Sequence, residues 1–447
     1  VTGVQTCALP IYAEGNRHPP NNWAAAFGGS AWEYDEASGE YYLHLFAKEQ
    51  PDLNWENEEV RNAVHDIVRF WLDKGVDGFR MDVINFISKD QNFPDAKVKT
   101  GRKYEFGDEY FACGPRLHEY LKGLGDILKE YDAFSVGEMP CVQDPNEIIK
   151  AVGGNRGELN MIFNFEHVDL DHGAQGKLYS SREWPLSDLY KIVNKWQEFM
   201  QENDGWNALY LENHDQPRSV SRYGNDSNEY RIVSAKMVAN FLAFQQGSLF
   251  VYQGQELGMR NIPKSWDISR YRDLESINHF NEVVKADSTP EDIADVMYNI
   301  NKVSRDNART PMQWNNTTNG GFTTGTPWIE LNEDFKFVNA TTEIKDKNSV
   351  FSHWQKILKL RKELKNIFIY GWFKMCSSPE DQSILVYKRI SEDQEVLVVC
   401  NFDSKHVKWT LPENYVASKV LVGNYNDFNI SSSEVELRPY ESVVLLK

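Results

Sequence analysis

From Glu58 onward the apolar positions switch repeatedly between a helical and a strand period. In EEVRNAVHDIVRFWLDKG, Val60, Val64, Ile67, Val68 and Trp71 recur at three- and four-residue spacing, which predicts an amphipathic helix. It runs into residues 76–82, apolar on both faces after a Gly/Asp turn, the pattern of a buried parallel strand. The alternation repeats. A helix over 114–131 leads to a strand at 133–138, and a short helix near NEIIKAV leads to a strand at 159–165. Helices over LSDLYKIVNKWQEFM and YRIVSAKMVANFLAFQ lead to strands at 207–215 and 248–256. Successive βα units with no antiparallel interlude predict an α/β fold with a parallel sheet, and a closed barrel is the commonest home for so many.

The flanks read differently. Residues 12–57 are rich in Asn, Pro, Gly and aromatics, and WEYDEASGEYYLHLF predicts a hairpin within a loop-rich excursion. After Gly258 the pattern is irregular, with helices predicted near LESINHFNEVV and over FSHWQKILKLRKELK. From Ile369 the period becomes two, which predicts a small antiparallel β-sandwich-like domain over 369–447. The domain reading is therefore 12–57 as an inserted excursion, 58–368 as the catalytic α/β part and 369–447 as the β-domain. Residues 1–11, VTGVQTCALPI, differ in character from the rest of the chain and are set aside as an artefactual peptide. They lack a Met and a basic stretch, so they do not read as a signal peptide.

Composition narrows the partners. A net charge of −18 argues against nucleic acid and anionic membrane surfaces. No apolar run approaches the roughly 20 residues that span a bilayer. The cysteines at 7, 113, 141, 376 and 400 are odd in number and follow no metal spacing. They read as buried or free thiols of a reducing, cytoplasmic compartment.

The chemistry sits at strand ends. Arg80 and Asp82 close the strand at 76–82, and their spacing puts both on one face. The arginine would hold Asp82 ionised, as a nucleophile needs, although such a pair also fits a structural bridge at a sheet rim. Glu138 closes the next strand, and Asn213, His214 and Asp215 close a later one. Alone, Glu138 could be a cap and NHD a polar turn. Together, carboxylates at successive strand ends, without a His or Cys cluster, point to carboxylate chemistry rather than a transition metal. Paired carboxylates with abundant aromatics are the equipment of a glycosidase.

These residues carry a resemblance. GFRMDVIN, VGEMP, LENHDQPR, QPDLNW and VYQGQELGM resemble, in order, the conserved regions of the α-amylase superfamily, glycoside hydrolase family 13. PNNW, GSAWEYDE, EYYLHLF, ARTPMQW and NGGFTTGTPW are similar to its oligo-1,6-glucosidases and bacterial α-glucosidases. The resemblance implies a partial (β/α)8 TIM barrel in which the five predicted strands are strands four to eight. The family's earlier strands, its third-strand Asn-His motif and its calcium loop have no counterpart here, so the chain reads as N-terminally truncated. Such a fragment is expected to expose sheet edges and to be unstable on its own.

Carried over, the resemblance makes Asp82 the nucleophile, Glu138 the general acid and base, and Asp215 the third carboxylate. It makes Arg80 the partner of Asp82, His214 a sugar ligand and Arg309 a residue closing the pocket. Val83, beside the nucleophile, is similar to the residue of isomaltose-cleaving members. The implied activity is retaining, exo-acting hydrolysis of α-1,6-glucosidic bonds in isomalto-oligosaccharides by a monomer needing no cofactor or metal. Trehalose-6-phosphate hydrolysis, with Lys89 or Lys264 serving the phosphate, remains open, as do α-1,4-glucosidase and sucrose-active members. Met139 and Cys141 are expected to pack, and Asp52 and Glu256 to be structural.

Overall fold

The computed structural model describes residues 10–12, 18–416, 418–430 and 432–447. Cys7 and most of the segment set aside above lie outside them. The chain divides into two compact units, Val1–Phe165 with Asn203–Trp206, and Glu166–Glu202 with Asn207–Lys447.

In the first unit the predicted hairpin forms. β2 (Trp32–Asp35) pairs antiparallel with β3 (Glu40–Leu43), and Gly39, at φ 74°, supplies the left-handed turn that a side chain would resist. β1 (Pro10–Tyr12) joins the other edge of β3, so the set-aside segment contributes a strand at its end. Trp23, Trp32, Leu43, Phe86 and Phe111 form the core beneath this sheet.

Helix α1 (Glu58–Asp73) starts where Asn57 accepts the Glu59 backbone N–H, with two glutamates in the first turn. Val60 and Val68 are buried as predicted, but Ile67, Phe70 and Trp71 are 58, 51 and 47% exposed. The apolar face is thus only partly covered. β4 (Gly78–Met81), α2 (Leu117–Glu130), β5 (Phe134–Glu138), α3 (Pro145–Val152) and β6 (Met161–Phe163) succeed one another in the predicted alternation. The three strands form a parallel sheet in the order β4–β5–β6. The sequence predicts β4 to be buried on both faces. It is only half-buried, because among the described residues it has a ladder on one side alone. Gly78 lies so close to β5 that a Cβ would sit 2.2 Å from the Phe134 carbonyl oxygen.

The second unit opens with α4 (Leu186–Glu202). A two-stranded parallel sheet of β7 (Ala208–Leu209) and β8 (Ser248–Leu249) flanks α5 (Arg231–Ala243). Both strands are far shorter than predicted. Beyond Leu209 the backbone leaves the ladder, and its polar groups find side chains instead, as where Asp215 N–H donates to Asn213 Oδ1. α6 (Leu274–Val283) matches its prediction, whereas α7 (Pro290–Val303) is an additional helix. α8 (Val350–Glu363) leads into an antiparallel sheet.

That sheet contains β9 (Trp372–Met375), β10 (Ile384–Ile390), β11 (Glu395–Asn401), β13 (Lys419–Gly423) and β15 (Ser442–Leu446), in the order β13–β15–β11–β10–β9. β12 (Val407–Thr410) and β14 (Glu434–Leu437) form a separate antiparallel pair. One face of the larger sheet shares its core with α5 and α8 through Phe241, Trp354, Ile357, Tyr387 and Val398. Two buried guanidiniums tie the same elements. Arg361 donates to the carbonyls of Ala243, Gln245, Gly247 and Phe368. Arg389 donates to those of Phe244, Phe368 and Gly371. No helix of the described residues is long and apolar enough to cross a membrane.

Candidate active site

In the first unit three of the predicted residues meet. Arg80 lies in β4 and Asp82 immediately after it, and Arg80 Nη1 donates to Asp82 Oδ1 at 2.5 Å. The other arm, Nη2, pairs with Glu138 Oε1 at the end of β5. One guanidinium thus binds both carboxyls in a fork. Their environments differ sharply. The Asp82 side chain is 72% exposed and that of Glu138 8%. Burial pushes the Glu138 carboxyl up to about 7, and the charge of Asp82 adds to the rise, while Arg80 opposes it. Neighbouring carboxyls held in different environments can take different roles.

Local sequence builds this arrangement. A Cβ at Gly137 would lie 2.8 Å from Ile84 Cγ2 and from Leu159 Cδ1, so glycine lets the segment after Asp82 pack over β5. Val83 adopts φ 40° and ψ 44°, left-handed and rarely populated by a β-branched residue. Its side chain packs against the core that contains Phe86 and Phe111. Met139 is buried as expected, but Cys141 is exposed rather than packed, with a left-handed backbone at φ 64° just beyond Pro140. Of the other described cysteines, Cys400 is buried, Cys113 half-buried and Cys376 exposed, all free.

Lys89 does not suit a phosphate site. Its side chain is 2% exposed, and its ammonium is held by Asp52 at 2.7 Å and by the Phe86 carbonyl. Asp52 thereby has a structural partner. Among the described residues no group of His, Cys, Asp and Glu is arranged to hold a metal ion.

The remaining predicted residues meet in the second unit. Arg309 pairs with Asp215 Oδ1 and donates through Nε to the His214 carbonyl at 3.0 Å. His214 Nε2 lies 3.5 Å from Asp215 Oδ2. Arg305 Nη1 is 3.7 Å from Asp215 Oδ1, with its other arm on Asp273 at 2.5 Å. Sequence reasoning misses Arg305. Its signal is the four-residue spacing to Arg309, which puts both on one side of a helical turn. Lys264 lines a separate cavity of about 520 Å³ in this unit, with Trp184, Arg222, Arg260, Tyr298 and Lys302. Glu256 accepts the Gly254 N–H at 2.7 Å, a local structural bond.

The family description "Alpha amylase, catalytic domain" matches residues 8–371. The chain belongs to the α-amylase family. It is a glycoside hydrolase of family 13, and residues 384–444 match the "Alpha-amylase SusG C-terminal domain", in agreement with the antiparallel sheet there. This family member is 49% identical over 435 residues to an α-glucosidase of Schizosaccharomyces pombe, covering 97% of this chain and 75% of that one. It is 47% identical over 433 residues to an oligo-1,6-glucosidase of Parageobacillus thermoglucosidasius, covering 96% and 75%. Among solved structures, a trehalose-6-phosphate hydrolase of Bacillus licheniformis superposes with a TM-score of 0.90 at 40% identity, covering 99% of this chain and 78% of that one.

Proposed function

We propose that this chain is a retaining, exo-acting α-glucosidase that releases glucose from the non-reducing end of isomalto-oligosaccharides by cleaving α-1,6 bonds. The reading rests on one observation: Arg80 grips an exposed Asp82 and a buried Glu138 whose carboxyl titrates near 7. Asp82, charged and accessible, attacks the anomeric carbon. Glu138, protonated near neutrality, gives its proton to the departing oxygen, then takes one from water that attacks the β-glucosyl ester. Two inversions return the α configuration. Asp215, oriented by Arg309, binds sugar hydroxyls, and His214 donates beside it. Val83 narrows the aglycone side and favours the flexible α-1,6 linkage, a discrimination of about 1–3 kcal/mol per methylene. β4, β5 and β6 of the first unit and β7 and β8 of the second are read as strands four to eight of the family's barrel.

Trehalose-6-phosphate hydrolysis is the second reading, favoured by the likeness to the Bacillus licheniformis enzyme. It loses Lys89 as a phosphate ligand and retains Lys264. Isomaltose, maltose, sucrose and trehalose 6-phosphate assayed side by side separate the readings. Isomaltose should have the highest kcat/KM, and a larger value for trehalose 6-phosphate would overturn the assignment. ¹H NMR of the first-formed glucose should show the α anomer.

A further inference from the structure

We propose that Asn85 is a positioning residue: it pins the segment carrying Asp82 against the segment carrying Glu138 and so sets the register of nucleophile and acid. The proposal rests on the roles assigned above to those two carboxyls.

Asn85 is completely buried, three residues after Asp82. Its Nδ2 donates to the Pro140 carbonyl at 2.8 Å, two residues beyond Glu138. A carbonyl can only accept, so this contact fixes which end of the amide faces Pro140. The same Nδ2 lies 3.8 Å from Cys113 Sγ, and the Asn85 carbonyl accepts the Cys113 N–H at 2.9 Å. One side chain therefore ties the turn after β4 to the turn after β5. A third segment, at Cys113, braces it.

Two further observations separate this tie from ordinary packing. Asn85 Oδ1 is buried without a partner among the described residues. An apolar residue of the same shape would avoid that cost but would leave the Pro140 carbonyl without its donor. The second is the strain between Asp82 and Asn85. Val83 holds a left-handed backbone at φ 40°, closed by the Phe86 N–H on the Val83 carbonyl at 3.0 Å. A β-branched residue keeps such a conformation only where its surroundings over-determine it. Ile84, Asn85 and Phe86 are all buried, and Asn85 is the member hydrogen-bonded through its side chain to the acid's segment. Released from the Asn85 amide, the Pro140 turn can shift and carry Glu138, two residues before it, out of line with the leaving-group oxygen, while Arg80 still holds Asp82. A shift near 1 Å in a reacting group can cost about 10²-fold in rate.

The test compares Asn85→Leu and Asn85→Ala with Glu138→Gln in the full chain. The substrates are phenyl α-glucoside, whose leaving group needs a proton, and α-glucosyl fluoride, whose leaving group does not. Both Asn85 variants should lose about 10²-fold in kcat/KM, which reports the first step alone, on the phenyl glucoside and far less on the fluoride. Asn85→Leu still fills the side-chain volume, so it separates loss of the hydrogen bond from the loss of packing in Asn85→Ala. If Glu138→Gln fails to discriminate between the two glucosides, the reading of Glu138 as the acid falls. If it discriminates and the Asn85 variants slow both glucosides equally, or neither, the positioning role is overturned. A ¹³C titration of the Glu138 carboxyl reads the same tie without turnover: its midpoint should move in Asn85→Leu, and an unchanged midpoint would also overturn the proposal.

Discussion

Arg80 pairs directly with Glu138, yet the Glu138 carboxyl titrates upward, to about 7, rather than downward. Burial exceeds the attraction of the guanidinium, and Asp82 takes a share of that positive charge. The folded state therefore binds this proton more tightly than the unfolded chain. The stabilisation is full below the ordinary value of 4.5 and disappears as pH rises through about 7. Over that interval it amounts to about 3 kcal/mol. Glu138→Gln should accordingly melt higher than the parent at pH 8 and match it more closely at pH 5. In the parent, kcat/KM should fall along an alkaline limb set by the same group. A parent melting curve that does not weaken between pH 5 and 8 would contradict this.

Asp82→Gly should lower turnover at least about 10³-fold. Added azide then distinguishes the two carboxyls by product. With the Asp82 side chain gone, azide enters from the β face and gives β-glucosyl azide. In Glu138→Ala, azide intercepts the glucosyl ester and gives α-glucosyl azide. The same anomer from both variants would refute the division of roles.

Lys89 and Asp52 test a buried pair. Burial pushes the Asp52 carboxyl up, and Lys89 pulls it back. Lys89→Met strands that carboxylate and should cost about 3–5 kcal/mol, whereas Lys89→Met with Asp52→Leu should recover most of it. Thermal unfolding of both variants decides the matter. The double variant should also leave the ratio of trehalose 6-phosphate to isomaltose turnover unchanged, since Lys89 is held away from solvent.

The open side of α1 predicts association. Ile67, Phe70 and Trp71 are exposed on one helix, and β4 has a ladder on one side only among the described residues. Exposed apolar patches and free strand edges recruit partners. The 447-residue chain should bind a hydrophobic dye and self-associate at micromolar concentration. Ile67→Lys with Trp71→Glu should reduce both, as read by light scattering.

Much of the fold and the site is legible in the sequence because two kinds of signal coincide. Helical periodicity locates α1, α2, α4 and α8, an apolar-rich run without a polar face locates α5, and charged residues at the ends of apolar runs locate Arg80, Asp82, Glu138 and Asp215. What escapes has specific causes. β7 is predicted too long because buried apolar residues, Tyr210 and Leu211, continue the pattern after its ladder has ended. α7 escapes although Thr289, Pro290 and Asp292 spell its N-terminus, with a complete capping box. Arg305 lies outside the ARTPMQW motif, and its partner Asp273 is distant in sequence, so only folding brings them together. The exposure of Ile67 and Trp71 depends on which neighbours a helix face has, which its own periodicity does not encode.

The buried guanidiniums of Arg361 and Arg389 have a consequence for how this architecture can be inherited. Each reads several backbone carbonyls rather than a side chain, so no single compensating substitution elsewhere can replace what it does. Between them they stitch the end of α5, the segment after it and the start of the antiparallel sheet into one seam. A recombination point placed near residue 369 would separate Arg389 from the Phe244 and Phe368 carbonyls, while Arg361 would keep all its partners on the N-terminal side. Grafts that exchange the terminal sheet among relatives should succeed only when the crossover falls outside α5, so that helix and sheet travel together as one heritable block.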